Sequence, residues 1–128
     1  MSVHGYHHIG LIVKDGNTSL AFYTEGLGGK HTFSFPMGDT GKSIHMVDIG
    51  GNAVVELIPQ GKGDPETNAR FSHIALATDD ARGDYARALA AGALARTEPK
   101  DILLGTKPVC IAFVTGPDAE VIEFFQEK

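Results

Sequence analysis

The chain carries the same pattern twice, and this duplication limits its possible folds more than any other feature. Ser72-His73-Ile74-Ala75-Leu76-Ala77 echoes His7-His8-Ile9-Gly10-Leu11-Ile12, with His73 standing 65 positions after His8. Glu120-Val121-Ile122-Glu123-Phe124-Phe125 echoes Ala53-Val54-Val55-Glu56-Leu57-Ile58, with Glu123 standing 67 positions after Glu56. Two separate segments in nearly one register define a repeated unit. Each copy opens on a histidine and closes on a glutamate, 48 residues later in the first and 50 in the second. With 128 residues and no long polar linker, both copies fit one domain, 1–128, with modules at about 1–62 and 68–128.

Between its two ends each copy reads as strand, helix and three further strands, a βαβββ module, so the fold class is α+β. In the first copy residues 18–27 predict a helix, with Leu20, Tyr23 and Leu27 at helical spacing. Asn17 or Thr18 supplies the cap and Gly28-Gly29 the stop. The second helix is expected over 81–91, with Asp79 and Asp80 as caps, Tyr85 and Leu89 four apart, and Gly92 as its close. Further strands are expected at 30–35, 43–49 and 52–58, then at 93–97, 109–115 and 121–125. Gly50-Gly51 and Gly116-Pro117-Asp118 make the turns before the last strand of each set. The polar, turn-rich segments 38–42 and 59–67 read as mobile connections, the second linking the modules.

Composition narrows the function classes. At 42% hydrophobic and 21% charged residues, the chain is of the soluble globular kind. A formal charge of −5, with 11 scattered Lys and Arg, repels a phosphate backbone and argues against nucleic acid. The first ten residues are polar and His-rich, without the apolar core of a signal, and no run reaches the length of a membrane span. A cytoplasmic location is the expectation. Cys110 is the one cysteine, so it forms no internal disulfide, and its apolar surroundings predict a buried thiol acting as a small hydrophobe.

Strand alternation gives the repeated histidines and glutamates their meaning. Ile9, Leu11 and Val13 share one face, expected beneath the helix, and His8, Gly10 and Ile12 the other. The same count sets Ile74 and Leu76 beneath the second helix and leaves His73, Ala75 and Ala77 on the open face. Glu56 lies with Val54 and Ile58, and Glu123 with Val121 and Phe125, while Leu57, Ile122 and Phe124 point to the core. Burying unpaired carboxylates is costly and two close together repel, so the pair calls for neutralisation by a cation or by protons. A divalent ion held by His8, Glu56, His73 and Glu123 meets that need. Counting by two puts His7 on the helix-covered side. His4, His31 and His45 have no counterpart in the repeat and read as polar strand or loop residues.

His8-Ile9-Gly10-Leu11, Ala21-Phe22-Tyr23-Thr24, Val54-Val55-Glu56-Leu57, His73-Ile74-Ala75-Leu76 and Ile111-Ala112-Phe113-Val114 through Glu123 resemble the vicinal oxygen chelate superfamily over essentially the whole chain. The resemblance implies two βαβββ modules forming a curved sheet around a metal-binding cleft, and a homodimer with sites built across two subunits. The His, Glu, His, Glu order resembles glyoxalase I, which implies a metal-dependent lyase acting on a small-molecule substrate such as a thiol adduct of methylglyoxal. In such a reaction the ion holds two vicinal oxygens and acidifies the neighbouring C–H by stabilising an enediolate. Glu123 is then the favoured base, with Glu56 a ligand able to serve the opposite face. Two histidines, two carboxylates and two waters suit nickel, cobalt or zinc, and iron less.

The sequence departs from glyoxalase I at two places. Ile12 stands where an arginine commonly grips a glutathione carboxylate, and Gln60, after Pro59, stands in for an asparagine contact. Arg70, Lys100 and Lys107 are alternative sources of positive charge, read first as solvated surface residues. Other readings of the resemblance are an epimerase or isomerase that does not use glutathione, an Fe(II) extradiol dioxygenase with His8, His73 and Glu123 as a facial triad, and a drug-binding resistance protein. Methylmalonyl-CoA epimerases usually carry Gln at the place of Glu56, and Glu56 fills a position that a dioxygenase leaves open.

Overall fold

The computed structural model describes residues 2–61, 70–116 and 120–128. Among them the order is β1 (Val3–Ile12), α1 (Gly16–Ala21), β2 (Lys30–Pro36), β3 (Ser43–Asp48), β4 (Val54–Ile58), β5 (Arg70–Thr78), α2 (Ala81–Ala90), β6 (Leu94–Leu104), β7 (Lys107–Thr115) and β8 (Val121–Glu127). This is βαβββ twice, as the repeat predicts. The chain divides into two compact units, His8–Ser72 and a second made of Met1–His7 with His73–Lys128, so the boundary falls inside β1. Most of the expected connection 59–67, and Pro117-Asp118 of the expected turn, lie outside the described residues.

In His8–Ser72 the strand order is β2-β3-β4-β1. β1 runs parallel to β4, from His8 opposite Val54 to Ile12 opposite Ile58, and β3 is antiparallel to both β4 and β2. Val13, Val47 and Leu57 are buried, with Leu11, Leu20, Tyr23 and Val55 packed on them. The first helix starts earlier than expected, because its cap is Asp15 and not Asn17 or Thr18. One carboxylate oxygen of Asp15 accepts the amides of both those residues, at 2.9 and 3.2 Å. After Ala21 the helix widens into a π-helical turn, Phe22–Gly26. It then passes Gly29, where a Cβ would stand 2.6 Å from the Tyr23 carbonyl oxygen and 2.9 Å from Val47. Only glycine lets the chain pass so close to both.

In the second unit the order β5-β8-β7-β6 continues the repeat. β5 runs parallel to β8, from Ile74 opposite Ile122 to Ala77 opposite Phe125, and β7 is antiparallel to β8 and β6. Ala81 and Tyr85 of α2 pack on Cys110, Ala112, Val114 and Phe124, with Val3, Leu76 and Ile122 packed against them. The other face carries Ala75, Val109, Ile111 and Phe125, flanked by Phe113. Burial pushes the Cys110 thiol up, consistent with a small hydrophobe and not a nucleophile. β6 runs on to Leu104, beyond the expected 97, and turns through Gly105 into β7 at Lys107.

Ile9 and Ile74 depart from the expected pattern in the same way. They are 39% and 37% exposed instead of lying beneath the helices. The helices are short, six and ten residues, and their cover falls on Leu11 and Val13 in one unit and on Leu76 and Ile122 in the other. Among the described residues no helix is long and apolar enough to cross a membrane.

Of the two aspartates expected to cap α2, Asp80 accepts the Gly83 amide at 3.0 Å, whereas Asp79 faces His4 at the surface. Asp80→Ala is therefore expected to cost about 1 kcal/mol and Asp79→Ala less than about 0.5 kcal/mol, read from chemical denaturation midpoints at unchanged slope.

Candidate metal centre

Glu56 and His8 are brought together by the parallel pairing of β1 with β4. Val55 and Leu57 belong to the core under α1, so Glu56 between them points to the opposite face. There it sits opposite Gly10 on β1 and Met46 on β3. Its Oε1 is 3.6 Å from His8 Nε2, with the side chains only 9% and 1% exposed. Gly10 has no side chain to stand between them.

The second unit repeats this construction. Glu123 lies opposite Ala75 on β5 and Phe113 on β7, so in both copies the glutamate meets a small residue two positions after the histidine. Its Oε1 is 3.0 Å from His73 Nε2, and both side chains are buried. The Phe113 ring meets His73 edge-on at 5.7 Å, in the place Met46 holds in the first copy. The four predicted ligands thus occur as two buried His–Glu pairs, each within one unit.

Imidazole nitrogen and carboxylate oxygen are the donors that borderline and hard divalent ions take. Adjacent ligands of an octahedral ion with bonds of about 2.1 Å stand about 3 Å apart, and the separations of 3.0 and 3.6 Å fall near that spacing. The residues fit a divalent ion.

The remaining histidines are less ordinary than their sequence context suggests. His7 does not lie on the helix-covered side. Its ring packs on Phe125 at 3.9 Å between centroids, and its Nε2 is 3.1 Å from Glu127 Oε1. Phe125 belongs to the face opposite α2, whereas Val3, four residues before His7, packs beneath α2. Gly5, at φ +149°, stands between Val3 and His7. Lys107, read from sequence as a solvated lysine, pairs with Glu127 at 2.6 Å. The sequence offered no sign of this chain of contacts, because β8 was expected to stop at 125. Ile12 is half-buried on β1, Gln60 and Lys100 are exposed, and the Arg70 side chain lies outside the described residues.

The sequence matches the Glyoxalase/Bleomycin resistance protein/Dioxygenase superfamily over residues 5–124. It is 31% identical over 121 residues to an uncharacterized protein, YwbC, of Bacillus subtilis, covering 93% of this chain and 94% of the relative. It is 32% identical over 140 residues to a probable lactoylglutathione lyase of Vibrio cholerae, covering 100% and 94%. The structure is similar to that of a hypothetical protein, BH1468, of Bacillus halodurans, with TM-score 0.75, 22% identity and coverage of 96% and 94%. It is also similar to a methylmalonyl-CoA epimerase of Mycobacterium tuberculosis, with TM-score 0.73, 20% identity and coverage of 98% and 89%.

The Lys107 ammonium, and after it the His7 ring, hold the Glu127 carboxyl below its ordinary value of 4.5. A carboxyl lowered on folding contributes stability above its unfolded pKa, and that contribution is lost as pH falls through the lowered folded value. Lys107→Met is expected to move the Glu127 titration up toward 4.5, followed by carboxyl carbon NMR. The stability difference between the two proteins should be present near neutral pH and vanish in acid.

Proposed function

The chain belongs to the glyoxalase/bleomycin resistance protein/dioxygenase superfamily, and from that premise we propose that it is a metal-dependent lyase of the glyoxalase I kind, converting a 2-oxoaldehyde thiohemiacetal to a 2-hydroxyacyl thioester. The observation that carries this reading is the duplicated buried His–Glu pair, built at equivalent register positions in both modules. His8, Glu56, His73 and Glu123 would hold one nickel, cobalt or zinc ion. When bound, such an ion supplies electrophilic stabilisation of negative charge developing on vicinal substrate oxygens. The name carried by the Vibrio cholerae relative supports the same reaction class.

The chemistry left to the protein is a proton transfer. Glu123 takes the proton from the carbon that bears the hydroxyl and the thioether sulfur and returns it to the adjacent carbonyl carbon, while the hydroxyl proton passes to the former carbonyl oxygen, so the reaction is a net isomerisation. Glu56 occupies the equivalent position in the other module and serves the opposite face of the substrate. Burial of both carboxylates limits competition from bulk water.

A second reading is an epimerase or isomerase that does not use glutathione, which moves a proton beside a carbonyl in the same way. Ile12 favours it, because an apolar, half-buried side chain there offers no grip for a glutathione carboxylate. Glu56 favours the lyase.

We further propose that the protein is a homodimer. Tyr6 and Phe71 are 73% and 74% exposed and occupy equivalent positions of the repeat, as do the exposed Ile9 and Ile74. Large apolar side chains left in water at repeated positions support a protein contact there.

Metal analysis after chelation and reconstitution is expected to find one ion per site, lost on Glu56→Gln or His73→Ala; unaltered metal content in both variants overturns the ligand assignment. Glu123→Gln should lower thiohemiacetal turnover by roughly 10²–10⁴-fold with the circular dichroism unchanged. A protein loaded with nickel, cobalt, zinc or iron that turns over no thiohemiacetal with several thiols, yet exchanges the α-proton of an acyl thioester, is the outcome that selects the epimerase. For the dimer, light scattering should give about twice 13.6 kDa, falling toward one chain in Ile9→Asp/Ile74→Asp.

A further inference from the structure

A pocket opens within residues 8–72, on the α1 side of the sheet and away from Glu56. It encloses about 350 Å³ and is lined by Lys14, Asp15, Gly16, Lys42, Ser43 and His45, among others. His45 is 8% exposed and stands on β3 one residue before Met46, so it faces the side of Val47 and the α1 core. Its Nδ1 lies 2.6 Å from the Ser34 hydroxyl, which lies 2.7 Å from His31 Nε2. The two rings meet edge-on at 5.5 Å. The other nitrogen of His45, Nε2, has no hydrogen-bond partner among the described residues. It borders Gly16, where a Cβ would stand 3.5 Å from it, so the absence of a side chain there leaves Nε2 uncovered.

Lys14 and Lys42 are exposed and make no ion pair among the described residues. Asp15 is the acid of the lining, and its Oδ1 already accepts the amides of Asn17 and Thr18. Two unpaired ammonium groups against one engaged carboxylate give the pocket a positive balance. We propose that it binds a small oxyanion of the phosphate class, held by His45 Nε2–H and by the ammonium groups of Lys14 and Lys42.

The hydrogen bonds around Ser34 decide whether His45 can donate. A hydroxyl has one proton, so Ser34 donates to one ring and accepts from the other. When His31 Nε2–H donates to Ser34 and Ser34 donates to His45 Nδ1, a neutral His45 must carry its proton on Nε2, pointing into the pocket. An anion selects this arrangement, and Ser34 acts as a positioning residue for the ring. Burial, and after it the charge of His31, holds the pKa of His45 down, and the neutral ring remains a competent donor in this tautomer.

The test is a titration of the full chain with inorganic phosphate, and separately with glycerol phosphate, against chloride at matched ionic strength. Long-range proton–nitrogen NMR of the histidine rings reads binding. The expected result is a saturable shift of His45, with Nε2 protonated and Nδ1 accepting, that chloride does not produce. Lys14→Ala/Lys42→Ala should weaken it about tenfold or more, through loss of charge-assisted bonds. His45→Gln should abolish phosphate binding as read by phosphorus NMR, and the lysine variant decides the matter if His45→Gln does not fold. A tighter midpoint for glycerol phosphate identifies a phosphomonoester ligand, and the reverse identifies free phosphate. No saturable shift, the same shift with chloride, or an unchanged midpoint in the lysine variant overturns the proposal.

Discussion

Each module depends on one pairing, in which its first strand lies parallel to its last. Parallel neighbours cannot be joined by a tight turn, so the helix and two intervening strands of the βαβββ unit are the length of chain that this pairing demands. The pairing sets glutamate beside histidine. In β1 and β4 it puts Glu56 opposite Gly10, and in β5 and β8 it puts Glu123 opposite Ala75. A slip of one residue would turn each glutamate into the apolar cluster beneath its helix and bring Leu57 or Phe124 to the other face. The cost of a carboxylate in that cluster disfavours the slipped register.

The chain also shows how it buries an acid for purely structural ends, and the contrast bears on the site. Asp84 is buried in α2, where it accepts the Thr78 hydroxyl and the Arg87 guanidinium, and Thr78 in turn accepts the Asp80 amide. That acid ties strand β5 to its helix with a permanent cation at hand. Glu56 and Glu123 are each set against an imidazole, a partner whose charge depends on protonation and whose neutral nitrogen is a metal ligand. Their partners suit a removable ion better than a fixed ion pair.

The pairs were legible in sequence because two signals of different period agree. The 48- and 50-residue His-to-Glu spacings differ, yet both pairs are built at the same register, since the extra length is taken up in the longer β6–β7 hairpin and not in the paired strands. Alternation within each strand then decided which side chains face away from the helix. The helix edges were less legible. Asp15 outcompetes Asn17 and Thr18 as a cap because a single carboxylate oxygen accepts the amides of both. The exposure of Ile9 and Ile74 follows from helix length and placement, which alternation does not encode.

His7 and His45 mark where the repeat and its alternation cease to suffice. The count places His7 with Ile9 and Leu11, yet its ring packs on Phe125 and its Nε2 meets Glu127, contacts with a strand more than a hundred residues away that alternation within β1 does not encode. His45 stands on β3, a polar strand residue as its sequence context predicts, but the strand pattern leaves out what surrounds it. The repeat gives it no counterpart, so nothing in the pattern singles it out. Its surroundings come from elements distant in sequence: Ser34 across the β2–β3 ladder on one side, and the Lys14 to Gly16 turn on the other. A duplicated chain makes the shared features easy to read, and by the same token it draws attention from a site that only one copy has. His45 is such a residue, and its chemistry follows from the hydroxyl that orients it and the glycine that leaves it open.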